Sequence, residues 1–370
     1  MSNHLTRRRM LAAATMAAAF PPSRTTVTAA ADAASAILQQ SVDSGTVTAA
    51  ALCLQRGAHR QCRHFGTARS ENASFLLGSI SKPIALTALM TLFDQQRFQL
   101  DDRVSRYLPE FSNAGRDHVT IRHLLTHVSG LPDQLPNNNQ LRAAHAGLSD
   151  FTAAALRVPL SFPPGSRYQY SSMGILLAAE IAQRLTGTDI RSLVQQTVLT
   201  PLSMHNSALG TGHLQPTQLM PCQTEFAAPE AGAGAADAKN WDWNSPFWRQ
   251  LGAPWGGLHA SAIDVGRWLY DFLQPSGKVL RSETAALMTR NHNPPELESR
   301  GLAFDVGLDA VCRGCSSRTF GHTGSTGTIA LADPETQTVC VVLTTLPGPA
   351  VPGPQHPRLL AAEAALQMLR

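Results

Sequence analysis

Apolar and polar positions follow two different periods along this chain, and each change of period marks an element. "DAASAILQQSVDSG" reads as a helix, and "TVTAAALCLQRG" with "QCRHFGTA" reads as a strand pair joined by a Gly57-Ala58 turn. "GSISKPIALTALMTLF" returns to the helical period, with Ile84, Leu86, Leu89, Met90 and Phe93 on the repeat and Pro83 in the first turn. A helix over His123–Ser129 stops at Gly130, with Pro132 just after it. Asn137-Asn138-Asn139 marks a polar loop, and a helix-rich middle runs from about Leu148 to Met204. The Ala/Gly/Pro-rich stretch from Gln223 to Asn240 predicts a mobile surface loop, and Ser261 to Asp264 predicts a capping box. "GLAFDVGLDAV", "SRTFGHTG", "TIALADP" and "TVCVVLTT" then read as strands, and "RLLAAEAALQMLR" as a closing amphipathic helix. Strands at both chain ends with helices between them predict an α+β fold, with one antiparallel sheet built from both termini. The chain contains no internal repeat.

Composition sharpens this picture in three places. At 370 residues and 43% hydrophobic content the chain can bury a large core and is not disordered. Its formal net charge of +4 is matched by Arg7, Arg8, Arg9 and Arg24 in a segment without acidic residues, so the remainder is neutral and offers no basic footprint for nucleic acid. That segment reads as an export signal over residues 1–31: "TRRRMLAAATMAAAF" puts an arginine cluster before a short apolar stretch, and "TAAADAA" offers small residues for cleavage. The paired arginines suggest the twin-arginine route, and the apolar stretch is too short to span a bilayer. No other segment predicts a membrane span, so the mature chain, residues 32–370, is expected to be soluble outside the cytoplasm, periplasmic or extracellular. Among the six cysteines, the Gly57-Ala58 turn sets Cys53 opposite Cys62 as a non-hydrogen-bonded pair, a geometry that accepts a disulfide, and Cys312 and Cys315 share a hairpin tip. Free thiols are the reading taken for all six, and zinc is not expected.

The chemistry starts at Ser79-Ile80-Ser81-Lys82. Residues three apart on a helix lie side by side, so Lys82 can reach the Ser79 hydroxyl and take its proton. Ser79 falls at a helix N-terminus, where backbone N–H groups favour developing negative charge. The chain has only three lysines, Lys82, Lys239 and Lys278, and no other S-x-x-K. By itself the motif also fits an exposed serine and lysine on a surface helix.

Two further segments give it a context. Tyr170-Ser171-Ser172 and His322-Thr323-Gly324 follow in order, an arrangement that resembles penicillin-binding proteins and serine β-lactamases. "VTIRHLLTHVSGLPD", "PPGSRYQYSSMGILLAAEIAQRLTG", "PLSMHNSALG" and "GGLHASAIDVGRWL" resemble stretches shared by class C β-lactamases, related DD-peptidases and family VIII carboxylesterases. The resemblance runs from about Ser41 to the C-terminus. It implies a β-lactamase/transpeptidase-like α/β sandwich, with a sheet subdomain from about residues 32–80 and 256–370 and an all-helical subdomain between them. It also implies a cofactor-free, metal-free site with Ser79 as nucleophile, Lys82 as first proton acceptor and Tyr170 as proton shuttle. The backbone N–H groups of Ser79 and Ser325 would form the oxyanion hole, and Ser172, His322, Thr323 and Gly324 would line the substrate groove. The sequence leaves both Lys82 and Tyr170 as candidates for the general base.

Departures from the family pattern bear on substrate. Many relatives carry lysine where His322 stands, and a mostly neutral imidazole grips an anion poorly. Ser172 replaces the usual asparagine and has only a short hydroxyl. Both changes favour a simple ester or amide, with a cell-wall peptide or a β-lactam as alternatives, and with an acylated binding protein that does not turn over as the alternative of another class. Trp241, Trp243, Trp248 and Trp255 crowd one stretch and fit an acyl pocket or ordinary core packing equally. His123 and His127 lack the glutamate of a zinc motif and read as packing, Asp101 and Asp102 as a helix cap, and Ser171 as a hydrogen-bond partner in the groove.

Overall fold

The computed structural model describes residues 24–113, 115–308 and 312–370. The arginine cluster of the expected export signal therefore lies outside the described residues. The chain opens with α1 (Arg24–Asp43), the hairpin β1 (Ala49–Arg56) and β2 (His59–Gly66), then β3 (Ser74–Leu76) and α2 (Ser81–Asp94). Its middle holds α3 (Ile121–Leu125), α4 (Asn138–Ala143), α5 (Leu148–Ala155), α6 (Ser172–Thr186) and α7 (Ile190–Val194), followed by the short strands β4 (Ser207–Leu209) and β5 (Leu219–Met220). The remainder runs α8 (Pro246–Leu251), β6 (Leu258–Ala260), α9 (Ala262–Leu273), α10 (Ser282–Met288), β7 (Asp305–Val306), β8 (Phe320–Gly324), β9 (Thr328–Asp333), β10 (Thr338–Thr344) and α11 (Pro357–Gln367).

The main sheet has the order β2-β1-β10-β9-β8-β7 and is antiparallel throughout. Its centre joins the two chain ends, with Ala50 opposite Thr344 and Arg56 opposite Thr338. Both faces are covered, which is why β1 and β10 are buried almost without a break rather than alternately. Ala50, Leu52, Leu54, Cys340 and Val342 face one core with α1 and α11, while Ala51, Cys53, Val339 and Val341 face a second core shared with α9 and the helical middle. A second small sheet, β4-β6-β3-β5, ties the middle of the chain to the segment that leads into α2, so strands enter the region expected to be purely helical.

The structure departs from the sequence reading at several points. Helix α1 begins at Arg24, and Val27, Ala30 and Ala31 are fully buried in it, so the folded unit starts ahead of the expected boundary at residue 32. The helix expected over His123–Ser129 ends at Leu125, because His127 takes a left-handed φ of 60°. The expected mobile loop from Gln223 to Asn240 is packed: Ala227, Ala228, Ala231 and Ala238 are buried. A side chain at Gly232 would meet Ala238 Cβ at 2.2 Å, so small residues serve close packing there rather than mobility. In the expected capping box, Ser261 Oγ accepts from the Asp264 N–H, but the Asp264 carboxylate turns away to the Asn206 N–H at 2.7 Å and the Ser207 hydroxyl at 3.0 Å. Among the described residues of "GLAFDVGLDAV", Asp305–Val306 forms the strand. Cys53 does stand opposite Cys62, their sulfurs 3.1 Å apart as thiols.

Among the described residues no helix is long and apolar enough to cross a membrane. Because Val27, Ala30 and Ala31 sit in the core, a chain beginning at Asp32 is expected to lose about 3 kcal/mol relative to one beginning at Arg24. Urea denaturation of the two chains measures this, and equal midpoints and slopes would return the boundary to residue 32.

Candidate active site

Ser79 stands in a single turn, Gly78–Ile80, that joins the β3 strand to the first residue of α2. Gly78 has φ +56°, and a Cβ there would meet Thr326 Oγ1 at 3.0 Å and the Ser325 nitrogen at 3.1 Å. The turn after β8 is stitched onto this segment. Thr326 Oγ1 donates to the Leu76 carbonyl and Thr328 Oγ1 to the Leu77 carbonyl, both at 2.7 Å. At Gly324 a Cβ would lie 2.1 Å from the Leu77 carbonyl oxygen, so only glycine lets the two backbones approach this closely. These contacts bring Ser325 to the same cavity as Ser79.

The spacing expectation for Lys82 is met directly. Its Nζ donates to Ser79 Oγ at 2.9 Å and to the Trp255 carbonyl at 2.9 Å, and it lies 4.7 Å from the centre of the Tyr170 ring. The side chain is buried, and burial pushes its pKa down to about 7; the Asp133 carboxylate opposes this, the Arg300 cation adds to it, and Glu230 opposes it. Lys82 is therefore an amine that accepts or holds a proton at little cost near neutrality. Tyr170, at the residue before the α6 cap, is hydrogen-bonded to Ser79; burial pushes its phenol up while the Arg300 cation pulls it down. The His127 ring packs 4.6 Å from the Tyr170 ring, and its Nδ1 accepts from the Ser171 N–H at 3.2 Å.

The second triplet divides its work differently from the expectation. Ser171 leaves the groove to cap α6, its Oγ accepting from the Gly174 N–H and donating to the Pro132 carbonyl, both at 2.9 Å. Ser172 lines the cavity, but its N–H and hydroxyl both donate to one oxygen of Asp133, at 2.9 and 2.6 Å.

His322 is the clearest departure. It lies on β8 as expected, and β7 pairs only with Phe320 and Gly321, so His322-Thr323-Gly324 form an unpaired edge. The imidazole, however, is only 4% exposed and does not line the cavity. Its Nε2 faces Arg300 Nη2 at 2.7 Å, and its Nδ1 faces the Thr323 carbonyl at 2.6 Å. A guanidinium can only donate, so Nε2 must accept and the ring proton must sit on Nδ1. Burial, and then the Arg300 and Lys82 cations, hold this histidine well below its ordinary range. Two cations contact this strand, Arg358 at the Gly324 carbonyl and Arg300 at His322; the sequence reading did not single out Arg300. It is buried, ion-paired with Asp305 of β7, and 5.4 Å from the Tyr170 ring centre.

Ser79, Lys82, Tyr170 and Ser325 share a cavity of about 130 Å³ with Asp133 and Glu230. Trp243, Trp248 and Trp255 form its apolar wall, whereas Trp241 packs beside Arg142 and Trp268 stacks on Phe304, so the tryptophans divide between pocket and core. No cluster of histidine, cysteine or acidic side chains among the described residues has the arrangement of a metal site. His123 and His127 fall on either side of the end of α3, with His123 Nδ1 accepting from the Thr120 N–H. Chemically, the arrangement offers a hydroxyl beside a near-neutral amine, a buried phenol, and the Ser325 turn across the cavity.

Known proteins resemble this chain in sequence and in fold. A curated relative from Salmonella agona (strain SL483), named "Putative D-alanyl-D-alanine carboxypeptidase", is 26% identical over 322 residues, spanning 77% of this chain and 72% of that protein. Among solved structures, "EstCE1, a hydrolase with promiscuous acyltransferase activity" superposes with a TM-score of 0.75 at 22% identity, covering 92% of this chain and all of that one. A family VIII carboxylesterase gives a TM-score of 0.75 at 20% identity over 93% of this chain and 97% of its own. The family model described as Beta-lactamase matches residues 34–365, nearly the whole of the described chain, and this protein belongs to that family of serine hydrolases.

Proposed function

We propose that this protein is an exported hydrolase of small esters or amides that works through an acyl-enzyme on Ser79. The observation that carries this reading is the 2.9 Å contact between Ser79 Oγ and a lysine Nζ whose pKa lies near 7. Ser79 Oγ attacks the acyl carbon while Lys82 takes its proton. The resulting oxyanion accepts hydrogen bonds from the backbone N–H groups of Ser79 and Ser325, donors of a kind worth a few kcal/mol in the barrier. The intermediate then expels the leaving group, protonated through the coupled Lys82–Tyr170 pair, and water releases the acid from the ester. No cofactor enters these steps. A neutral His322 turned out of the cavity supports simple esters and amides over substrates that need a cation on the third motif to hold a carboxylate. Likeness to a Salmonella protein named as a D-alanyl-D-alanine carboxypeptidase favours cell-wall peptides as the second reading.

Export is inferred from the arginine cluster Arg7-Arg8-Arg9 and the apolar stretch after it. Since Val27 is already buried in α1, N-terminal sequencing of exported protein is expected to give a start ahead of it, and retention in the cytoplasm would sink the inference.

Release of p-nitrophenol from a short-chain ester tests the chemistry. Sustained turnover is expected, falling by a factor on the order of a thousand or more in Ser79→Ala. One burst followed by stalling would indicate an acylated binding protein instead, and equal rates in both proteins would remove Ser79 from the reaction. Because Lys82 must be neutral to accept a proton, kcat/KM should climb with pH through about 7. The Arg300 cation holds Lys82 down, so Arg300→Gln should move that limb to higher pH. A profile flat across neutrality, or one unmoved in Arg300→Gln, would count against Lys82 as the proton acceptor.

A further inference from the structure

Where family members present an amide at the third position of the second triplet, this chain presents a carboxylate. Both donors of Ser172, its N–H and its hydroxyl, converge on one Asp133 oxygen, fixing that side chain on the cavity wall. An asparagine amide can donate to an acyl carbonyl; an ionised carboxylate can only accept. The polar demand at this point of the wall is therefore reversed, from a substrate acceptor to a substrate donor.

A second carboxylate faces the same space. Glu230 lines the cavity, and its position is set through its backbone: the Glu230 carbonyl accepts from Asn138 Nδ2 at 3.1 Å and from Arg142 Nη1. Neither Asp133 nor Glu230 forms an ion pair among the described residues. Both act on the charge of Lys82, but the Lys82 Nζ is committed to Ser79 and the Trp255 carbonyl. Burial pushes the Glu230 carboxyl up and Asp133 adds to this, while a backbone hydrogen bond and the Arg142 and Lys82 cations oppose it. Arg142 does not fill the need. Its guanidinium stacks 3.8 Å from the Trp248 ring centre, and its Nε and Nη2 have no exposed surface and no partner. Of the two cations that line the cavity, Lys82 is committed to Ser79 and the Trp255 carbonyl, and Arg142 is stacked on Trp248 with Nη1 on the Glu230 carbonyl. This leaves Asp133 as a carboxylate acceptor without an ion pair among the described residues, beside three indole walls.

We propose that the acyl part of the substrate carries an ammonium group, as in an α-amino acid ester or amide, received by Asp133 and Glu230 beside the acyl carbonyl. The cavity of about 130 Å³ suits a small aminoacyl group, and the indole faces add favourable contact with a cation. An N-acylated substrate would place a neutral amide against the carboxylates and lose this contact. The proposal rests on the hydrolase reading above and narrows its substrate class.

The test compares alanine methyl ester, as both enantiomers, with N-acetylalanine methyl ester and methyl propionate, followed by acid release at constant pH. Each rate is divided by that of hydroxide on the same ester, which removes the intrinsic reactivity of the ammonium compound. The native protein is expected to favour at least one alanine ester by about tenfold or more over both neutral esters. Asp133→Asn and Glu230→Gln keep shape and should each cut that ratio by about tenfold. Turnover of methyl propionate with no preference for the ammonium ester, or a ratio unmoved by both substitutions, overturns the proposal and leaves the hydrolase reading standing. Turnover of none of the esters removes the hydrolase reading and the proposal together.

Discussion

The site depends on taking one lysine out of water without giving it a counter-ion in direct contact. A buried ammonium is costly, and the cheapest response is to lower its pKa until the neutral amine is accessible. Lys82 does this at the start of α2, its Nζ held between the Ser79 hydroxyl and the Trp255 carbonyl. Those partners come from opposite ends of the middle of the chain, so the amine is desolvated only where these two segments meet. The small sheet β4-β6-β3-β5 joins them, because β3 leads into Ser79 and β6 follows directly after Trp255. The stitches from Thr326 and Thr328 to Leu76 and Leu77 then carry the edge of the main sheet to the same point.

Charge near the third motif is arranged behind the cavity rather than in it. Where a lysine on β8 would project a cation toward substrate, His322 turns its Nε2 lone pair to Arg300. Arg300 is neutralised in turn by Asp305 on the adjoining strand. The guanidinium lies 5.4 Å from the Tyr170 ring centre, so its field acts on Tyr170 and Lys82 although it does not line the cavity. Arg300 thus lowers the pKa of both the phenol and the amine from a position outside the cavity lining.

Much of the fold was legible because its determinants are local. Short apolar, β-branched runs over β1, β9 and β10 predict strands, and the apolar repeat of Ile84, Leu86, Leu89 and Met90 predicts α2. The i, i+3 spacing of Ser79 and Lys82 predicts a contact that the helix enforces. What was not legible depends on partners distant in sequence. The direction of His322 follows from Arg300, and Arg300 from Asp305; no short motif holds all three. Asp133 is held at the cavity by Ser172, and Glu230 by Arg142 and Asn138, all distant in sequence. The alanine- and glycine-rich stretch before Trp241 misled for a related reason. Small residues signal mobility when nothing packs on them, and here Ala231 and Ala238 are covered. The early end of α3 was likewise hidden, because the left-handed turn at His127 is set by the Ser171 N–H that its ring accepts.

These influences meet again in the titration of Lys82. Burial dominates and Arg300 adds to it, while Asp133 and Glu230 oppose them only in part, so the balance leaves the amine well below its ordinary range, at about 7. Such a balance responds to what enters the cavity. A cation seated on the two carboxylates would cancel the pull that favours the ammonium form and add a repulsion against it. Lys82 would then be driven toward its neutral form at the moment a substrate of that class arrives, when the Ser79 proton has to be taken. A neutral acyl group would leave the carboxylates acting on Lys82 and hold more of it protonated. The arrangement that selects the ligand by charge would, through the same pair of carboxylates, also select the protonation state of the base.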